Sequence, residues 1–115
     1  MSNFKIDTRE QSNINIMSLK GYLDAHTAPD LEKAFQVLLD RQKYNIVVNC
    51  KDLTYISSAG LKALQASAKS ARGGLIAGDL RLVGLKPNIK EIFDTIGFTQ
   101  LFKIYNDPLD AVGSF

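Results

Sequence analysis

The feature that most restricts this chain is a strand that runs into a helix through a pair of serines. Tyr44-Asn45-Ile46-Val47-Val48-Asn49-Cys50 has a continuous apolar centre, as expected of a strand covered on both faces. Leu61, Leu64, Ala68 and Ala71 then recur at helical spacing until about Arg72, where Gly73-Gly74 stops the helix. The linking segment, Asp52-Leu53-Thr54-Tyr55-Ile56-Ser57-Ser58-Ala59-Gly60-Leu61, puts Ser57 and Ser58 at or beside the helix N-terminus. A phosphate attached there would meet free backbone N–H groups and the positive end of the helix dipole. The same turn can serve as a docking surface, where an added charge would break a contact. Such a switch needs no catalytic machinery of its own.

The other elements fall into place around it. Phe4 to Arg9 and Ile14 to Lys20 alternate apolar and polar residues, and Gln11-Ser12-Asn13 reads as a hairpin turn between them. Gly21 is expected to close the second strand. Thr27 is placed as an N-cap, Pro29 fits the first turn and Asp30 approximates a capping box. Leu31, Ala34, Phe35 and Leu38 give this helix one apolar face to about Asp40-Arg41. Asp79 to Gly84 reads as a strand, and Pro87 starts a helix carrying Ile89, Ile92, Phe93 and Ile96, with Gly97 as its stop. Leu101 to Tyr105 reads as a last strand, and Asp107-Pro108 opens a short terminal helix. The order β-β-α-β-α-β-α-β-α predicts an α/β fold with a mixed, mostly parallel sheet of about five strands. In the glycine-framed loop Gly73 to Gly78, Leu75 and Ile76 are expected to tuck back onto the core. The alternative is a patch that contacts a partner.

At 115 residues the chain is expected to be one domain, residues 1–115. A net charge of +2 on scattered basic residues gives no nucleic-acid footprint. One cysteine, Cys50, allows no internal disulfide, and the polar start Met1-Ser2-Asn3-Phe4-Lys5 carries no signal-peptide pattern. No apolar run approaches membrane-spanning length. The cytoplasm is the expected compartment.

Catalytic readings find little to stand on. His26 is the only histidine, so a zinc or haem site lacks ligands, and His26 is assigned a local structural or surface role. Neither serine lies in a G-x-S-x-G elbow, because Tyr55 and Ile56 occupy the positions two before them. The loop from Gly73 to Gly78 lacks the Lys-Ser/Thr of a phosphate loop and sits between helix and strand. Asp52 follows a central strand, as a phosphorylated aspartate would, but no acidic pair is positioned to hold Mg²⁺ beside it. No metal, no cofactor and no enzymatic activity are expected. The serine turn remains. A serine before a helix is usually only a cap, yet two serines are present where capping needs one, and Gly60 weakens the first turn by ~1 kcal/mol relative to Ala.

Three stretches resemble the STAS domain, specifically its anti-sigma factor antagonist group: Gly21 to Thr27, Val47 to Leu61, and Leu82 through Gly97-Phe98-Thr99-Gln100-Leu101-Phe102. The resemblance covers essentially the whole chain, and the serine turn is its most specific part. It implies a cytoplasmic bacterial signalling protein that, unphosphorylated, binds an anti-sigma factor, which then releases its sigma factor. It further implies that the anti-sigma factor doubles as a serine kinase and that a PP2C-type phosphatase reverses the modification. The implied phosphoacceptor is Ser58, with Ser57 as the alternative. The implied partner-binding set is Asp24, Thr27, Ser57, Ser58, Gly60 and Leu61. Gly60 would allow close approach by the partner and Leu61 would offer an apolar anchor. Family members commonly carry an aspartate before the acceptor serine, where this chain has Ser57. The rival reading is a STAS scaffold, never phosphorylated, within a signalling or transport assembly.

Overall fold

Strand β1 (Lys5–Gln11) folds back onto β2 (Ile14–Leu23) through Ser12 and Asn13, whose φ angles of 52° and 64° make a two-residue hairpin turn. The structure is a computed structural model and describes residues 3–115. Helix α1 (Ala28–Asp40) leads to β3 (Asn45–Ile56), α2 (Ser58–Arg72) to β4 (Asp79–Val83), and α3 (Pro87–Thr95) to β5 (Ile104–Tyr105); α4 (Pro108–Gly113) closes the chain. The sheet order is β1-β2-β3-β4-β5, with β1 antiparallel to β2 and every other pair parallel. The α/β class and the element order are those the sequence predicts.

Right-handed crossovers that all step in one direction put their helices on one face. The apolar stripes of α1 to α3 accordingly share a single core with Met17, Leu19, Ile46, Val48 and Cys50 of the sheet. On the opposite face, α4 packs alone among the described elements, its Ala111 against Ile14, Ile16, Val47 and Val83. Ile46, Val47 and Val48 are therefore all fully buried, as their unbroken apolar run requires.

Two strands run further than the alternation suggests. β2 does not close at Gly21. The glycine sits within it at φ +96°, and a Cβ there would lie 2.7 Å from the Asn3 carbonyl oxygen. β3 continues past Cys50 to Ile56, held by β2 through the pairs Lys20↔Asp52, Gly21↔Leu53, Tyr22↔Tyr55 and Leu23↔Ile56. Register shifts between Ser18 and Lys20 and between Gly21 and Tyr22 give β3 two extra residues. Each bulge delays the return to the core by one position, so Cys50, Leu53 and Ile56 are buried at a spacing of three.

Two smaller expectations are corrected. Only Ile104–Tyr105 form the last strand, because Gly97 (φ +80°) turns the chain into a 3-10 turn, Phe98–Gln100. Phe98 there meets the Phe93 ring edge-on, and Phe102 packs tilted against both, at centroid separations of 5.8 to 6.1 Å. Leu75 and Ile76 do not tuck inward but are 109% and 66% exposed. The base of that loop is pinned where Gly78 packs close against Tyr44 and its N–H bonds to the Ala71 carbonyl.

A charged cluster ties the end of α2 to β4 and the C-terminus. Asp79 bonds Arg72 at 2.6 Å and Arg81 at 3.0 Å, and Arg81 reaches Ser114 at 2.6 Å and lies 4.0 Å above the Phe115 ring. Burial pushes the Asp79 carboxyl up, but hydrogen bonds from Arg72 and Arg81, the Arg72 charge and the Leu80 N–H outweigh it and hold the group below the usual carboxylate value. A depressed folded pKa means that the unfolded chain takes up its proton first as pH falls. The contribution is fully present above the ordinary Asp value of ~4 and is lost below it. The urea midpoint of the wild type should therefore drop between pH 5 and about pH 3 more than that of Asp79→Asn. Equal drops would show that the cluster contributes nothing through this charge.

Candidate functional site

Parallel pairing of Leu23 with Ile56 brings two loops to one end of the sheet, Asp24 to Thr27 after β2 and Ser57-Ser58 after β3. A hydrogen bond from the Ser57 N–H to the Leu23 carbonyl, 2.9 Å, locks them together. The two serines then divide. Ser57 is the N-cap of α2, its Oγ accepting from the Gly60 N–H at 3.2 Å. Ser58 is the first helical residue and is exposed. Its side chain makes no hydrogen bond among the described residues, and the first N–H groups of a helix have no intrahelical acceptor. An anion on Ser58 would sit at the positive end of a fifteen-residue helix whose first turn contains no acid.

Asp24 shapes the adjoining loop. Its Oδ1 accepts from the backbone N–H groups of His26 (2.9 Å) and Thr27 (3.1 Å). Thr27 precedes α1 but does not cap it with its side chain, which corrects the sequence expectation. The buried Thr27 hydroxyl instead donates to the Tyr22 carbonyl (2.8 Å) and accepts from the Asp24 N–H (2.9 Å). Asp24→Ala should cost about 1–2 kcal/mol, because two loop donors lose their acceptor, while Asp24→Asn keeps an oxygen there and most of the stability. Denaturant midpoints of the pair check this. Equal losses would mean that the charge, not the acceptor, holds the loop.

Gly60 and Leu61 face inward. A Cβ on Gly60 would lie 2.7 Å from the Leu23 carbonyl oxygen and 2.9 Å from the Leu23 Cγ. Leu61 is 8% exposed and belongs to the core. The close approach that Gly60 permits is that of β2, and Leu61 anchors α2 rather than offering an external contact.

Sequence reading passed over Tyr22 and Tyr55. They pair across β2 and β3 with ring centroids 5.5 Å apart, half exposed, one residue before the strand ends. Their only signal is that large aromatics fall where the alternation points away from the helices. Asp52 lies within β3 rather than at its end, and the His26 imidazole makes no hydrogen bond to either serine. Among the described residues no three His, Cys, Asp or Glu side chains gather as metal ligands, and no helix is long and apolar enough to cross a membrane. Burial pushes the Cys50 thiol up to about 12, leaving it protonated near neutral pH.

The mixed five-stranded sheet with its helices is shared with known proteins. The STAS domain model matches residues 5–111, and the chain belongs to that family. BtrV of Bordetella bronchiseptica, described as an anti-sigma factor antagonist, is 33% identical over 100 residues, covering 87% of this chain and 84% of its own. A Thermotoga maritima protein with the same description superposes with a TM-score of 0.88 at 18% identity, over 95% of this chain and 92% of that one. The Bacillus protein SpoIIAA in its phosphorylated form superposes with a TM-score of 0.72 at 14% identity, over 96% and 97%. The two structural likenesses show the fold. The relatives by sequence are described as anti-sigma factor antagonists.

Proposed function

We propose that this chain is an anti-sigma factor antagonist that works by phosphorylation-controlled partner switching in the cytoplasm. In the unmodified state, the surface around Ser58, the Asp24 loop and the tyrosine pair binds an anti-sigma factor with serine kinase activity. Transfer of the ATP γ-phosphoryl group to the Ser58 hydroxyl releases that partner, and a PP2C-type phosphatase restores binding. The observation that carries this reading is the division of labour between the serines. Ser57 is committed to the cap, and Ser58 is exposed, its side chain making no hydrogen bond among the described residues. Thr27 acts through the loop it braces, and Gly60 and Leu61 act by fixing α2 against β2.

The test is incubation with ATP and host lysate, followed by intact mass and site mapping, with Ser58→Ala and Ser57→Ala in parallel. One added phosphate on the wild type and on Ser57→Ala, absent from Ser58→Ala, is expected. Phosphate persisting on Ser58→Ala would move the acceptor to Ser57 or elsewhere. No modification, where a control antagonist is modified, would favour the unphosphorylated scaffold.

A further inference from the structure

The two edges of the sheet are built differently. β5 is two residues long, whereas β1 runs for seven residues with no proline and no bulge against β2. Native sheets shorten, kink or cover such an edge, because its unused N–H and C=O groups invite another strand. Gln11 and Ile14 flank the two-residue hairpin turn, so Lys5, Asp7, Arg9 and Gln11 turn their backbone groups toward β2. Those of Ile6, Thr8 and Glu10 point outward, and no strand meets them among the described residues. Beside this edge α1 leaves one flank uncovered. Ala34, Val37 and Arg41 wall a cleft of about 440 Å³ together with Thr8, Arg9 and Glu10 of β1, and Val37 is 49% exposed. Asp30 continues the same stripe toward the start of the helix. The other flank of α1, with Glu32, Gln36 and Leu39, faces α2.

We infer that this edge pairs with a second copy of the chain, β1 against β1, antiparallel about a two-fold axis at Thr8. The charges choose both the partner and the register. With Thr8 opposite its own copy, Asp7 and Arg9 stand opposite each other twice, in the non-hydrogen-bonded pairs where side chains approach closest. Lys5 meets Gln11, and Ile6 meets Glu10, whose carboxylate is already paired with Lys43 at 3.1 Å. Registers centred on Asp7, Arg9 or Glu10 each set like charges directly opposite. A register centred on Ile6 leaves Arg9 without an opposite residue in β1 and moves the axis away from the cleft. Helix α1 is self-complementary about the same axis. Ala34 and Val37, which line the cleft with Thr8, lie midway between Asp30 and Arg41. The two-fold axis sets α1 antiparallel to its copy, so Asp30 of each chain is directed toward Arg41 of the other. Asp7, Arg9, Asp30 and Arg41 make no ion pair within one chain among the described residues. Ser58 lies on α2, beyond the opposite flank of α1, and the inference is independent of the partner-switching reading.

The test is sedimentation equilibrium of the free protein at concentrations up to about 1 mM, where a dimer is expected. Asp7→Arg should weaken association about tenfold or more, and adding Arg9→Asp to it should restore the dimer by exchanging the two charges. Thr8→Pro blocks the outward edge but removes no hydrogen bond to β2, so it should keep the wild-type circular dichroism and abolish the dimer. The charge exchange keeps the test open if the proline variant unfolds. Thr8→Cys should form a disulfide-linked dimer on oxidation, because a hydrogen-bonded antiparallel pair sets its Cα atoms about 5.5 Å apart. The native Cys50 is buried and does not compete. A monomer at every concentration, a dimer indifferent to Asp7→Arg, or failure of the double variant to regain association would each overturn the assignment. Cross-linking through Ile6→Cys but not through Thr8→Cys would overturn the register.

Discussion

Ser58→Glu should lower affinity for the anti-sigma partner more than about a hundredfold while moving the folding free energy by no more than about 0.5 kcal/mol. The two halves of that expectation have separate causes. In the isolated protein residue 58 is exposed at the first position of α2, so a carboxylate there gains from the dipole and needs no repacking. It also falls four residues before the exposed Lys62, a spacing that adds ~0.2–0.5 kcal/mol. In the complex the same carboxylate must lose water against a surface built for a neutral hydroxyl. A penalty of ~3 kcal/mol suffices for the affinity loss, and a phosphoserine, with about −1.5 to −2 charges, should exceed it. Titration calorimetry against the partner, together with urea unfolding of the free protein, reads both quantities. Large destabilisation would mean that the switch acts by unfolding α2. Unchanged affinity would take Ser58 out of the interface.

Gly60→Ala should destabilise the fold by about 2 kcal/mol, and Gly60→Val by about 3 kcal/mol or more. Helix propensity argues the other way, since alanine in place of an interior glycine gains ~1 kcal/mol. Packing decides the sign. The new methyl would stand 2.7 Å from the Leu23 carbonyl oxygen, 2.9 Å from the Leu23 Cγ and 3.0 Å from the Ile56 Cγ1. Leu23 and Ile56 are the buried strand ends that hold the two loops, so neither can yield without moving the site. α2 must shift away, and the Ser57 to Leu23 hydrogen bond is strained with it. Urea midpoints with an unchanged m-value check the magnitude. A higher midpoint for the alanine variant would mean that Gly60 borders open space and is available to a partner after all.

Local chemistry carried most of the fold. The buried apolar run at Ile46-Val47-Val48, the stop at Gly73-Gly74 and the Asp107-Pro108 start each depend on near neighbours, so strand order, helix order and the serine turn were legible from residue types alone. The hydroxyl at position 58 and its place at a helix N-terminus belong to this class. What the residues could not reveal was which neighbour each would meet. The full length of β3 depends on two bulges against β2, and a spacing of three at Cys50, Leu53 and Ile56 looks like the end of a strand until its partner is in place. Gly60 carries no mark in the sequence that says whether its open side faces a partner or Leu23. Thr27 has the residue type of a cap, yet the carbonyl of Tyr22 took its hydroxyl. Ser57 and Ser58 are chemically identical, and only the close of α2 onto the strand ends made one a cap and left the other exposed. Composition and periodicity act over a few residues and set the elements. Contacts between residues distant in the chain exist only once the sheet has formed, and here they set the division of roles at the site.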